Sequence, residues 1–200
     1  MRLGVDNIDY HLIEEGVGLV ASVPGMTCEV GLREGGGSQY IMEALQKTGQ
    51  NKIHIAIDPY GNIECEARNN SFSRFDYTNT MRNRCLSEMY KISTELNIDF
   101  LFFQLEDTEF FKRYGDGIPV YNEKKSIQNT YSFVFFDGPH GTNAIINEFN
   151  FFNERASAGA VFVFDDITFY DFSSIEQNNL VPTGWKLITK TTAKASYRKE

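Results

Sequence analysis

Residues 133–140 read FVFFDGPH. Four bulky apolar residues run straight into Asp137, Gly138, Pro139 and His140. Residues 160–167, AVFVFDDI, nearly repeat the pattern and run into Asp165 and Asp166. Short apolar runs without alternation mark strands buried on both faces, as in a parallel sheet covered by helices. Ligands in such folds bind beyond the carboxyl ends of the strands. Acids placed where the strands emerge are therefore candidates to hold something.

The flanking chain extends this reading. MTCEVG (26–31), KIHIAID (52–58) and FLFFQ (100–104) read as three further strands. Between them, Ser38 is positioned to cap a helix through Leu45, and a long helix fits roughly 78–96. Residues 105–114 suit a short helix, and GDGIPVYNEKKSIQN reads as loop. Thr142 opens a helix with Ile145, Phe149, Phe152 and Ala156 on its buried face and Gly159 as its stop. A short helix near 172–179 precedes WKLITK and AKASYR, which suit a strand pair. Strands alternating with amphipathic helices imply a doubly wound α/β domain. Residues 1–25 read as an N-terminal helix or lid, with VASVPG marking the break before a domain at 26–200.

Composition narrows the function classes. Two hundred residues suit one domain with a sizeable core. The net charge is −8, and residues 186–200 hold five basic side chains against one acid, so the body is more acidic still. Such a body repels polyanions, which argues against nucleic acid as a partner. The lysines of the tail read as guards of a solvated edge strand. No apolar run approaches the ~18 residues of a membrane span. The start MRLGVDNIDYHLIEEG lacks the apolar core of a signal peptide, and Cys28, Cys65 and Cys85 lie far apart. Free thiols and a cytoplasmic location are expected.

CEVGLREGGGSQY places Gly31, Gly35, Gly36 and Gly37 between a strand and a helix. Glycines there let the backbone approach a ligand at the helix N-terminus. Glu29 stands near the end of that strand, and Asp58 ends the next one. An acid at Asp58 can accept hydrogen bonds from ribose hydroxyls, so the pair points to an adenosine-containing cofactor. The spacing is neither G-x-G-x-x-G nor a P-loop, which disfavours a nicotinamide oxidoreductase and a P-loop nucleotidase. A phospho-receiver would carry acids, not glycines, after its first strand.

EVGLREGGGSQYIMEAL followed by IAIDPYGN resembles the first two motifs of class I S-adenosylmethionine-dependent methyltransferases. FVFFDGPH and GAVFVFDDI resemble the later motifs of the small-molecule O-methyltransferase branch that acts on sugars and catechols. The resemblance spans residues 26–167 in the same order and spacing. It implies a single-domain Rossmann-like fold with a mostly parallel seven-stranded sheet and an antiparallel last strand. It also implies methyl transfer to a hydroxyl of a small molecule. A catalytically silent cofactor-binding module stays open beside it, and a homo-oligomer is allowed.

Residue by residue, the resemblance implies cofactor contacts from Glu29, Gly31, Gly35, Gly36, Ser38, Asp58 and Asp137. Arg33 is a candidate for the methionine carboxylate. Tyr60 is a candidate for adenine or ribose, or is a solvent-facing turn. Glu106 or Asp107 can accept from the adenine amino group, and helix capping is the alternative for Asp107. Metal-dependent members of that branch bind Mg²⁺ through positions matching Asp137, Asp165 and Asp166. Hard oxygen donors without clustered His or Cys suit Mg²⁺ on chemical grounds too. The alternative is that Asp165 and Asp166 cap the next helix or contact the cofactor. Catechol-type enzymes carry a lysine base three residues past the first acid, and the sugar branch carries an aspartate two past it. Here those positions are His140 and Pro139. His140 can serve as the base, acting with Asp137, because an imidazole titrates near neutrality. A structural role is the alternative. His54, within a strand, is expected to be a satisfied core residue.

Overall fold

The computed structural model describes residues 3–4, 8–66, 71–121 and 124–200. Seven strands form one sheet. β1 (Met26–Val30), β2 (His54–Ile57), β5 (Phe100–Phe103), β8 (Tyr131–Phe136) and β9 (Ala156–Phe164) run parallel, and the last pair is β10 (Trp185–Lys190) and β11 (Ala195–Lys199). The spatial order is β10-β11-β9-β8-β1-β2-β5. The last strand, β11, inserts between β9 and β10 and is antiparallel to both. The sheet is thus doubly wound, mostly parallel and reversed at its final strand, as the resemblance implies.

Side-chain alternation builds two cores from the same strands. On β8, Val134 and Phe136 join the core beneath α5 (Thr142–Arg155), with Ile145, Phe149 and Phe152. Phe133 and Phe135 face the other way, against α1 (His11–Leu19), α2 (Gly36–Lys47) and α3 (Asn79–Leu96). Residues of α1 are as deeply placed as those of the strands, since Ile13 and Val17 are fully buried. Helix α1 packs so closely that a Cβ on Gly16 would sit 2.7 Å from the Phe133 ring. Helix α1 therefore covers part of one face of the sheet.

Several boundaries depart from expectation for local reasons. Helix α2 begins at Gly36, capped by Gly35 in a left-handed conformation (φ 85°), so Ser38 lies inside its first turn and does not cap it. Helix α5 stops at Arg155, where the backbone turns extended at Ala156 (φ −76°, ψ 128°), and the Arg155 guanidinium donates to the carbonyls of Gly115 and Phe151. Ala156 consequently starts β9 and leaves the helix face. The segment expected as loop contains a hairpin, β6 (Ile118–Tyr121) with β7 (Lys125–Gln128). A second hairpin, β3 (Gly61–Glu66) with β4 (Phe72–Tyr77), follows Asp58 and was not expected. Helix α4 (Asp107–Arg113) follows β5, and α6 (Phe172–Ile175) follows β9.

Candidate active site

The chain order reverses between β1 and β8, and the sheet opens there into a cleft of about 650 Å³. Crevices at such a switch point, beyond the strand carboxyl ends, are where open α/β sheets bind ligands. The volume falls within the range of small-molecule sites. The floor comes from the ends of β1, β2 and β8 and the turns that follow, with Glu29, Asp58 and Asp137 in its lining. The walls add His140, Asp166 and Phe169 on one side and the β3–β4 hairpin on another.

The glycine turn is built by close approach. A Cβ on Gly31 (φ 89°) would stand 2.1 Å from the Asp137 carbonyl oxygen, so only glycine lets the ends of β1 and β8 meet. Beyond it the turn wraps Asp58. Arg33 donates its backbone N–H to Asp58 Oδ2 at 2.8 Å, and Tyr60 donates its own to Oδ1 at 2.7 Å. Asp58 is 3% exposed, and burial raises its carboxyl while these N–H groups pull it back. Each oxygen keeps lone-pair capacity for a further donor from the cleft. The Tyr60 hydroxyl donates to the Arg33 carbonyl at 2.6 Å, and its ring is buried outside the cleft lining. Tyr60 is thus placed to lock the turn. Arg33 (φ 45°), Tyr60 (φ 50°) and Asp166 (φ 47°) are all left-handed non-glycine residues at strand ends. Such strain collects where a fold must hold side chains in fixed positions.

Glu29 is 1% exposed and lies in the lining. Ser38 donates its hydroxyl to Glu29 Oε2, so Ser38 is a buried buttress away from the cleft surface. Behind Ser38 stands His54, its Nε2 2.8 Å from Ser38 Oγ and its Nδ1 3.0 Å from Thr27 Oγ1. Burial lowers His54 to about 3, so the imidazole is neutral. With Ser38 donating to Glu29, Nε2 must carry the proton and Nδ1 accept from Thr27. His54 is the satisfied core residue that the sequence suggested. Gly36 lies in the lining and Gly35 packs behind it against Cys85 and Met89.

At the end of β5, Glu106 and Asp107 both line the cleft. Asp107 accepts from the Thr108 backbone N–H at 2.7 Å and meets Glu148 of α5, which the sequence reading missed. Among the described residues no nitrogen or hydroxyl donor reaches the fully buried Glu148 carboxyl. Burial, then the Asp107 charge, holds it well above the ordinary carboxylate range. Burial raises Asp107 as well. Two carboxyls so placed disfavour carrying two negative charges at once.

The three acids expected to bind Mg²⁺ are separated in role. Asp137 and Asp166 line the cleft, and Asp165 is 1% exposed behind it. Lys194, the last residue of the turn before β11, buries its ammonium completely and reaches Asp165 Oδ1 at 2.6 Å. Burial raises the Asp165 carboxyl, and Lys194 opposes that rise. Tyr10 and Phe135 present ring faces to the same ammonium, 4.6 and 5.7 Å away. A lysine thus supplies the positive charge that the sequence reading assigned to a metal. Among the described residues no three His, Cys, Asp or Glu side chains are grouped to hold a metal ion. The donor set therefore does not fit Mg²⁺. Asp166 pairs instead with His140, whose Nε2 lies 3.4 Å from Asp166 Oδ2. The His140 ring also meets Phe169 edge-on at 5.9 Å.

Known structures share this architecture. The calicheamicin methyltransferase CalS11 aligns with a TM-score of 0.69 at 11% identity, over 95% of this chain and 78% of that one. The chain has the class I methyltransferase fold. An apo structure of CalS11, described as a TDP-rhamnose 3'-O-methyltransferase, aligns at 0.65 and 11% identity with the same coverage. The O-methyltransferase TomG from Streptomyces achromogenes, in complex with S-adenosylmethionine, aligns at 0.61 and 12% identity, over 98% of this chain and 82% of that one. No protein-family model and no curated protein matches the sequence. Identities this low establish the fold, and the chemistry rests on the cleft.

Proposed function

We propose that this protein transfers the methyl group of S-adenosylmethionine to a hydroxyl of a small molecule. The observation that carries the reading is Asp58, buried at the switch point, fixed by two backbone N–H groups and lining the cleft. That is the group a ribose diol requires. Glu29, buttressed by Ser38, offers a fixed negative charge to the cationic methionine end of the cofactor. When bound, the cofactor supplies an electrophilic methyl on a positively charged sulfur. The chain's own task is to present a hydroxyl and remove its proton. His140 is the base in this reading: it lines the cleft and stands beside Asp166, which stabilises the imidazolium that forms. The hydroxyl oxygen gains the methyl, the sulfur keeps the bonding pair, and the proton resides on His140. No step is routed through a divalent ion, since Lys194 already neutralises Asp165.

The test is transfer of radiolabelled methyl from S-adenosylmethionine to a panel of vicinal diols and catechols. His140→Ala should lower turnover by ~10²–10⁴ while leaving S-adenosylhomocysteine affinity unchanged. Binding of a reduced nicotinamide in place of S-adenosylhomocysteine would favour an oxidoreductase. Cofactor binding without transfer to any acceptor would favour a silent binding module.

A further inference from the structure

The cleft is strongly one-signed. Among the described residues eight carboxyl groups line it with one guanidinium, that of Arg33, and Glu64 is paired besides with Arg74 of the same hairpin at 3.7 Å. S-adenosylmethionine contributes one net positive charge, which leaves the imbalance largely in place. Alongside the acids stand aromatic rings that are not packed away. Phe72, on the β3–β4 hairpin, lines the cleft with 70% of its surface exposed, and Phe75 lines it with 37% exposed. Phe169, half-buried, adds another ring to the lining. Exposed rings on a cleft wall offer apolar contact, and their faces attract a cation.

We infer that the acceptor is an organic cation, an amine-bearing hydroxylated compound whose apolar body lies on these rings. This rests on the methyl-transfer reading and names its substrate class. Two independent features demand the same chemistry. The carboxylates favour a positive charge, and the rings favour a body with apolar surface. An acceptor carried on a pyrophosphate or another polyanion meets the acids that the cofactor and His140 leave unassigned, Glu34, Glu64 and Asp137, so such acceptors are disfavoured. Like-charge juxtaposition of this kind is a common device of specificity.

Three catechols carry the same pair of hydroxyls and differ in charge: dopamine, 4-methylcatechol and 3,4-dihydroxybenzoate. Each is titrated calorimetrically into protein saturated with S-adenosylhomocysteine. Dopamine should bind about tenfold more tightly than 4-methylcatechol, and 3,4-dihydroxybenzoate most weakly of the three. Raising the ionic strength from about 20 mM to about 500 mM should shrink that spread. Glu64→Gln and Glu34→Gln together should reduce the dopamine advantage and spare S-adenosylhomocysteine affinity. Phe72→Ala should weaken dopamine and 4-methylcatechol alike. Equal binding of the three, preference for 3,4-dihydroxybenzoate, or binding of none overturns the inference and leaves the methyl-transfer reading standing. Failure of S-adenosylhomocysteine itself to bind overturns both.

Discussion

Asp58 at the end of β2 and Asp165 at the end of β9 are 3% and 1% exposed, yet different groups satisfy them. Asp58 is held by backbone N–H groups of a turn that also borders the cleft. Asp165 is held by a lysine ammonium from the far end of the chain. A peptide N–H carries only partial charge, so Asp58 stays an acceptor for whatever enters the cleft. An ammonium at contact distance takes up the charge, and Asp165 becomes part of the frame. What an acid at a strand end does is therefore decided by its counter-group.

The comparison breaks most visibly at Lys194. Lys194→Met leaves a buried carboxylate without its cation and should cost about 3–5 kcal/mol in urea unfolding at pH 7. Adding Asp165→Leu should recover much of that loss. A near-neutral Lys194→Met would mean that Asp165 is not held as described.

His54 provides the next largest effect, through the buttress behind Glu29. Its value of about 3 lies below the unfolded value of 6.5, so the unfolded chain takes up a proton first as pH falls. Stability is then lost from about pH 6.5 downward, amounting to about 3 kcal/mol at pH 4. His54→Gln should lower stability at pH 7 and flatten the decline between pH 7 and pH 4. A decline of unchanged steepness would remove His54 from the account of acid sensitivity.

Glu148 moves stability in the opposite direction. Its carboxyl is raised in the folded state, so the stability it contributes is present at low pH and lost as pH rises. Glu148→Gln should therefore stabilise the protein at pH 8 relative to pH 4. Thermal melts at the two pH values measure this, and a change of the opposite sign would contradict a raised Glu148 carboxyl. The smallest effect concerns metal: 5 mM Mg²⁺ or EDTA, each about that concentration, should shift the melting temperature by no more than about 1 °C. A clear Mg²⁺ stabilisation would show that Asp137 and Asp166 bind an ion without Asp165.

Much of this architecture was legible in the sequence. Runs such as FVFFD and AVFVFDD announce doubly buried strands, and the acids after them announce the functional edge. Asp58 could be placed because one strand and one glycine turn, both local, decide its position. The roles of Asp165 and Ser38 could not. Lys194 reads as one more surface lysine in a basic tail, and only the insertion of β11 beside β9 carries it inward. Ser38 looks like a cap because its partner Glu29 lies across the turn. The β3–β4 hairpin escaped because β4 is mostly exposed and lacks a buried face to give it a period. Glu148 sat unnoticed on a helix whose apolar neighbours set the pattern.

Calorimetric titration of S-adenosylhomocysteine into the wild type, Asp58→Ala and Asp165→Asn tests the central claim most directly. The account predicts binding to the wild type and a loss of ~1.5–3 kcal/mol in Asp58→Ala, the range for hydrogen bonds to a charged group. Folded Asp165→Asn should keep near wild-type affinity. No binding to the wild type, or equal losses at the two acids, would contradict it.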